Sequence, residues 1–141
     1  MQHIRGLSIP RSLAEVAASE PLALIVYDMQ VGILRQLADG ADVVARVAEV
    51  LDLARRAGLR IFFSRYISLP VEVAGVAQLR TAMDWQHLDR VEEVVAPFPP
   101  DAPQSQIVLE LAPRRTEAVL ERITMSAFAG TYLDIALRDC G

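Results

Sequence analysis

Lysine is missing from this chain: all fourteen basic side chains among its 141 residues are arginines. No residue here can therefore serve as a lysine base, an ammonium donor or a Schiff-base former. Cysteine occurs once, as Cys140, so no disulfide can close within these residues, and a lone thiol fits a reducing compartment. Histidine occurs twice, at His3 and His87, far apart in sequence. An isolated histidine is more often solvated or hydrogen-bonded than a ligand, so no metal is expected. No apolar run approaches the roughly 18 residues of a membrane span. The opening Met1-Gln2-His3-Ile4-Arg5-Gly6 lacks the apolar core of a secretory signal. A net charge of −4 leaves no basic footprint for nucleic acid. These absences predict a cytoplasmic protein with neither a membrane nor a nucleic-acid partner.

What is present is ordinary for a globular domain: 52% apolar and 23% charged residues, at a length that suits one domain. The chain is organised around Leu22-Ala23-Leu24-Ile25-Val26-Tyr27-Asp28-Met29-Gln30. A short continuous apolar run between turn residues, here Pro21 and Gly32, reads as a strand buried on both faces. Strands of that kind build parallel sheets, whose ligands bind beyond the strands' carboxyl ends. Asp28 stands at that end.

Around it, the pattern predicts alternating elements. Ser12-Leu13-Ala14-Glu15 is a capping box that starts a short helix, about 13 to 18. Val43, Val47, Val50, Leu51 and Ala54 recur at helical spacing, with Gly58 as the stop. A second strand follows over 59–64, joined to the first by a right-handed crossover and parallel to it. The stretch 65–106 is less regular. It holds a possible helix over 74–86, in which Met83 and Trp85 read as a satellite core, and a proline-rich segment, 97–103, that cannot be regular. Connections this long usually form lids, pocket walls or subunit contacts. A third strand is expected over 118–122 and a last helix over 132–139, with Gly141 as its C-cap.

Two stretches together carry a resemblance. One is Ala23-Leu24-Ile25-Val26-Tyr27-Asp28-Met29-Gln30. The other is Arg122-Ile123-Thr124-Met125-Ser126-Ala127-Phe128-Ala129-Gly130-Thr131-Tyr132-Leu133, continued by Ala136-Leu137-Arg138-Asp139-Cys140-Gly141. In this order and at this distance they resemble the isochorismatase-like cysteine hydrolase superfamily, which includes nicotinamidases and N-carbamoylsarcosine amidases. The resemblance implies a three-layer α/β/α fold with a six-stranded parallel sheet. Residues 1–141 would be a single domain, incomplete at its C-terminus, that supplies about the first three strands.

It also implies a triad of aspartate, lysine and cysteine, because a thiol becomes a nucleophile when a base is within hydrogen-bond reach and a cation is nearby. By position Asp28 matches the aspartate, the general base. Arg122 stands where the lysine is expected, four residues before Ser126, and keeps the charge without being able to give up a proton. Gln30 and Phe128 would shape the substrate pocket. The nucleophile would lie at the end of the next strand, beyond Gly141. Cys140 belongs to the preceding helix, where a cysteine is usually a small buried apolar residue. The nicotinamidases' Asp-and-two-His metal site has no counterpart in Arg65-Tyr66-Ile67-Ser68-Leu69-Pro70, so neither metal nor cofactor is expected.

The implied activity is hydrolysis of a C–N bond in a small-molecule amide or ureide. The alternative is a degenerate member that binds or assembles, suggested by Arg122 and by the lack of a nucleophile in these residues. A phosphoryl-receiver domain fits less well: it wants an acidic pair at the first strand's end and an aspartate where Arg122 closes the third. In this family the first strand lies mid-sheet, so an open edge is expected on it. A homo-oligomer or a complementing C-terminal chain is the expected protein partner.

Overall fold

A computed structural model describes residues 1–19 and 21–140. The chain opens with a hairpin that the sequence pattern did not predict: β1 (Gln2–Ile4) runs antiparallel to β2 (Leu7–Ile9). Arg5 and Gly6 make the turn, both at positive φ (50° and 79°), as two-residue hairpin turns require. All six strand residues are exposed. The helix α1 (Leu13–Ser19) begins as the capping box predicts: Ser12 Oγ accepts the Glu15 N–H at 3.3 Å. Glu15 reaches back to the Arg11 N–H (2.6 Å) and to the N-terminal ammonium, tying the hairpin to the helix.

The body follows the predicted alternation. In chain order it comprises β3 (Ala23–Tyr27), α2 (Val31–Leu34), α3 (Gly40–Arg56), β4 (Arg60–Tyr66), α4 (Val76–Gln86), β5 (Ala118–Arg122) and α5 (Leu133–Asp139). The three long-range strands form one parallel sheet in the order β3-β4-β5. Gly58 ends α3 at φ 71°, with Leu59 N–H bonded to Ala54 O (3.0 Å) and Gly58 N–H to Arg55 O (3.2 Å). That is a Schellman stop, which favours glycine at the left-handed position. The predicted C-cap at Gly141 lies outside the described residues.

Alternation along β4 splits the core between two faces. Ile61 and Phe63 join Val26, Leu51, Ala54 and Leu111 on one face, under α3. Phe62 packs with Leu120, Ala127 and Leu133 on the other, under α5. Helices thus cover both faces of a parallel sheet, which is why β4 reads as one apolar run. It extends two residues past the predicted end, to Tyr66, because β5 pairs with it there (Arg65↔Glu121, Tyr66↔Arg122). Among the described residues β3 has β4 as its one neighbour, so its other edge carries unpaired backbone groups.

The long connection from β4 to β5 is pinned to the sheet's carboxyl end. The Tyr66 ring meets Trp85 edge-on at 5.6 Å and Phe98 at 5.8 Å. Trp85 differs from the expected satellite core: it remains 47% exposed, while Ala82 on the same helix is buried. No described helix is long and apolar enough to cross a membrane.

Candidate active site at the carboxyl end of the sheet

The last rung between β3 and β4 is the Asp28 N–H bonded to Ser64 O at 2.9 Å. Asp28 then takes φ 54°, a left-handed conformation that aspartate tolerates better than most residues. The chain turns out of the sheet there, and the carboxylate is left over the strand ends.

Arg122 closes β5 and crosses the end of β4 to meet it. Its Nη2 donates to Asp28 Oδ2, its Nε to Ser64 Oγ at 3.0 Å, and its Nη1 to Thr124 O. The guanidinium lies 4.4 Å over the Tyr27 ring and 5.7 Å from the Tyr66 ring. Cation–π attraction and three committed donors thus hold an arginine that is only 3% exposed. The Tyr27 hydroxyl in turn donates to Met125 O, tying β3 to the loop after β5.

The two oxygens of Asp28 differ. Oδ2 is held by Arg122; Oδ1 is buried and has no hydrogen-bond partner. Burial pushes the carboxyl above its ordinary value, and the charge and hydrogen bond of Arg122, together with the Tyr66 backbone N–H, offset this only in part. Burial likewise raises the Tyr66 phenol. A cavity of about 770 Å³ opens above this pair. Asp28, Tyr66 and Arg122 form its floor, Met125 lies beside them, and Trp85 and Phe98 of the long connection form a wall. The Asp28 side chain lines that cavity with 25% of its surface exposed, and a carboxylate of raised proton affinity can accept a proton there.

The structure brings Asp28 and Arg122 together and places the other predicted site residues elsewhere. Gln30 is wholly buried and does not line the cavity; its amide is consumed by backbone groups of Tyr66 and Ser105. It braces the site rather than facing it. Phe128 is 54% exposed in the turn before α5 and does not line the cavity either. Cys140 sits beside Pro21, Leu22 and Ala23 at the start of β3. A strand of that length separates it from Asp28 by roughly 17 Å. Among the described residues no three His, Cys, Asp or Glu side chains converge. Ser64 and Tyr27 escaped the sequence reading. A small polar residue closing the apolar run Ile61-Phe62-Phe63 was the signal for Ser64.

The isochorismatase domain model matches residues 22–141, from the start of the first long strand onward. The hairpin and α1 lie outside that match. Among solved structures, the chain is similar to N-carbamoylsarcosine amidase from Thermoplasma acidophilum, with 25% identity and a TM-score of 0.67 over 86% of this chain and 63% of that one. It is also similar to a cysteine hydrolase from Pseudomonas syringae pv. phaseolicola, with 23% identity and a TM-score of 0.66 over 83% and 53%. An isochorismatase from Pseudomonas putida aligns with 22% identity and a TM-score of 0.60 over 94% and 61%. These residues thus span between about half and under two thirds of each of those proteins. The latter two likenesses bear on the fold alone. No curated protein matches in sequence.

Proposed function

The chain belongs to the isochorismatase family, and from that premise we propose that it carries the base half of a hydrolase acting on a C–N bond of a small amide or ureide. The observation that carries this reading is the Asp28 carboxyl: clamped by Arg122, raised above its ordinary range by burial, and lining a cavity at the carboxyl end of a parallel sheet. The 25% identity to N-carbamoylsarcosine amidase supports C–N chemistry.

In the proposed reaction the Asp28 carboxylate takes the proton of a thiol. The sulfur attacks the carbonyl carbon, the C–N bond breaks, and the leaving amine receives that proton. Water then hydrolyses the thioester and restores thiol and carboxylate. Arg122 fixes Oδ2 of Asp28 and keeps a permanent positive charge beside the developing anions. A carboxyl group raised above its ordinary range is better matched to a thiol proton than an unperturbed one.

The thiol comes from outside residues 1–141, on a strand beside β3, whose free edge is where further sheet would pair. That strand belongs to a further segment, a complementing chain or another subunit. A reducing cytoplasm would keep such a thiol active.

A second reading, a family member that binds without catalysing, is favoured by Arg122 at the position of the family's lysine. Ammonia release from a panel of small amides and ureides, by the full-length protein with all its chains, separates the two. Asp28→Asn is expected to lower the rate by about 10² to 10⁴. Wild-type turnover no higher than that of Asp28→Asn overturns the hydrolase reading and leaves the binding one.

A further inference from the structure

Pairing between β3 and β4 ends at Tyr27↔Ser64, yet β4 continues to Tyr66 because β5 still pairs with it. On the side facing β3, the N–H and C=O of Tyr66 would therefore lose their ladder partner. The Gln30 side chain fills that place. Its Oε1 accepts the Tyr66 N–H at 2.7 Å, and its Nε2 donates to Tyr66 O at 2.8 Å. One carboxamide thus supplies the acceptor and the donor that two successive peptide units of a strand would present on that side. The second Nε2 hydrogen goes to Ser105 O at 2.9 Å, in the turn Pro103–Ser105.

The backbone around Gln30 is fastened at the same point. Gln30 N–H bonds to Asp28 O at 2.7 Å, Val31 N–H to Gln106 O at 2.9 Å, and Val108 N–H to Met29 O at 3.0 Å. Asp28, two residues back, is the residue in the left-handed conformation. A chain that left the sheet at Asp28 without such a substitute would strand two buried backbone groups. With it, the departure carries no such penalty.

We propose that Gln30 is a positioning residue: by replacing the strand's missing acceptor and donor in the sheet it holds the 28–30 turn, and with it the Asp28 carboxyl, over the strand ends. This deepens the hydrolase reading and rests on it only for the rate readout. The titratable and charged groups around Asp28 are Arg122 from β5, Tyr66 from β4 and Tyr27 from β3. Asp84 and His87, at the end of α4, line the same cavity. Gln30 carries no charge, and the Tyr66 N–H that it accepts also acts on the Asp28 carboxyl, so substituting Gln30 alters Asp28 through the turn and through that N–H.

The test is a carbon-13 titration of the Asp28 carboxyl in the full-length protein, wild type against Gln30→Leu, with thermal unfolding alongside. Gln30→Leu keeps much of the apolar volume and removes all three side-chain bonds. In the folded variant the Asp28 midpoint is expected to fall back toward the ordinary carboxylate range as the turn opens to water. The kcat for amide hydrolysis is expected to drop by about tenfold or more with KM nearly unchanged. A folded variant whose Asp28 titrates as in the wild type overturns the proposal. Should Gln30→Leu fail to fold, Gln30→Asn keeps an uncharged amide one methylene too short to reach both Tyr66 groups; the same midpoint comparison then decides. A wild-type protein that hydrolyses nothing counts against the proposed function, while the titration still judges Gln30.

Discussion

The sheet carries an arginine–carboxylate pair at each end, and the two are built differently. At the amino end of β5, Glu117 meets Arg55 through two parallel bonds, Nε to Oε1 at 2.7 Å and Nη2 to Oε2 at 2.8 Å. Oε2 also accepts the Arg114 N–H at 2.7 Å, and Arg55 further donates to Ala112 O. Both oxygens are satisfied, and the bond from Arg55 holds the Glu117 carboxyl below its usual value. At the carboxyl end, Asp28 meets Arg122 through one oxygen and keeps the other bare, and burial raises its pKa. The residue types are nearly the same, but the number of satisfied lone pairs differs. A saturated pair locks α3 to the start of β5. An unsaturated pair beside a cavity stores an unmet hydrogen-bond acceptor, which native folds rarely keep without use.

The comparison breaks most visibly at Arg122. Arg122→Met leaves the Asp28 carboxylate buried without its cation, which should cost about 3 to 5 kcal/mol of stability, measured by denaturant unfolding. Hydrolysis should fall as well. Next, Glu117→Gln removes the bidentate geometry at the other end; it should cost about 1 to 3 kcal/mol while leaving hydrolysis unchanged. A rate loss matching that of an Asp28 variant would contradict the division of roles.

The pH dependence sharpens the contrast, because the two carboxyls pull in opposite directions. Glu117, lowered in the fold, contributes stability that is present above its unfolded pKa and lost as pH falls through its folded one. Asp28, raised in the fold, contributes stability present below its unfolded pKa and lost as pH rises through its folded one. Between about pH 3 and pH 7, Asp28→Asn should therefore gain stability relative to wild type, and Glu117→Gln should lose it. Parallel slopes for the two variants would refute the assignment. The smallest effect is expected at Cys140, beside the start of β3. Cys140→Ser should change stability by no more than about 0.5 kcal/mol and leave turnover intact.

How far the sequence reveals this arrangement depends on whether a residue acts through pattern or through geometry. The strand at 23–27 is legible from its apolar run between turn residues, although Val26 is its one buried residue, and β5 at 118–122 alternates between buried and exposed positions. The pairing of Asp28 with Arg122 is legible from the two motifs that carry the family resemblance. The hairpin over 2–9 is not, since its strands are three residues long, exposed and without alternation that a core would impose. The family resemblance implies a pocket role for Gln30. Its part in the ladder depends on where β4 stops pairing with β3, which no local pattern encodes. Trp85 was read as core from its type, whereas its place at the end of α4 leaves it on the cavity wall.

The central claim is that the Asp28 carboxylate is the proton acceptor in hydrolysis, and the pH profile of kcat/KM for the full-length protein tests it most directly. The account predicts an acid limb lying above the ordinary carboxylate value of about 3.9, absent from the residual rate of Asp28→Asn. A limb that persists unchanged in Asp28→Asn would contradict it.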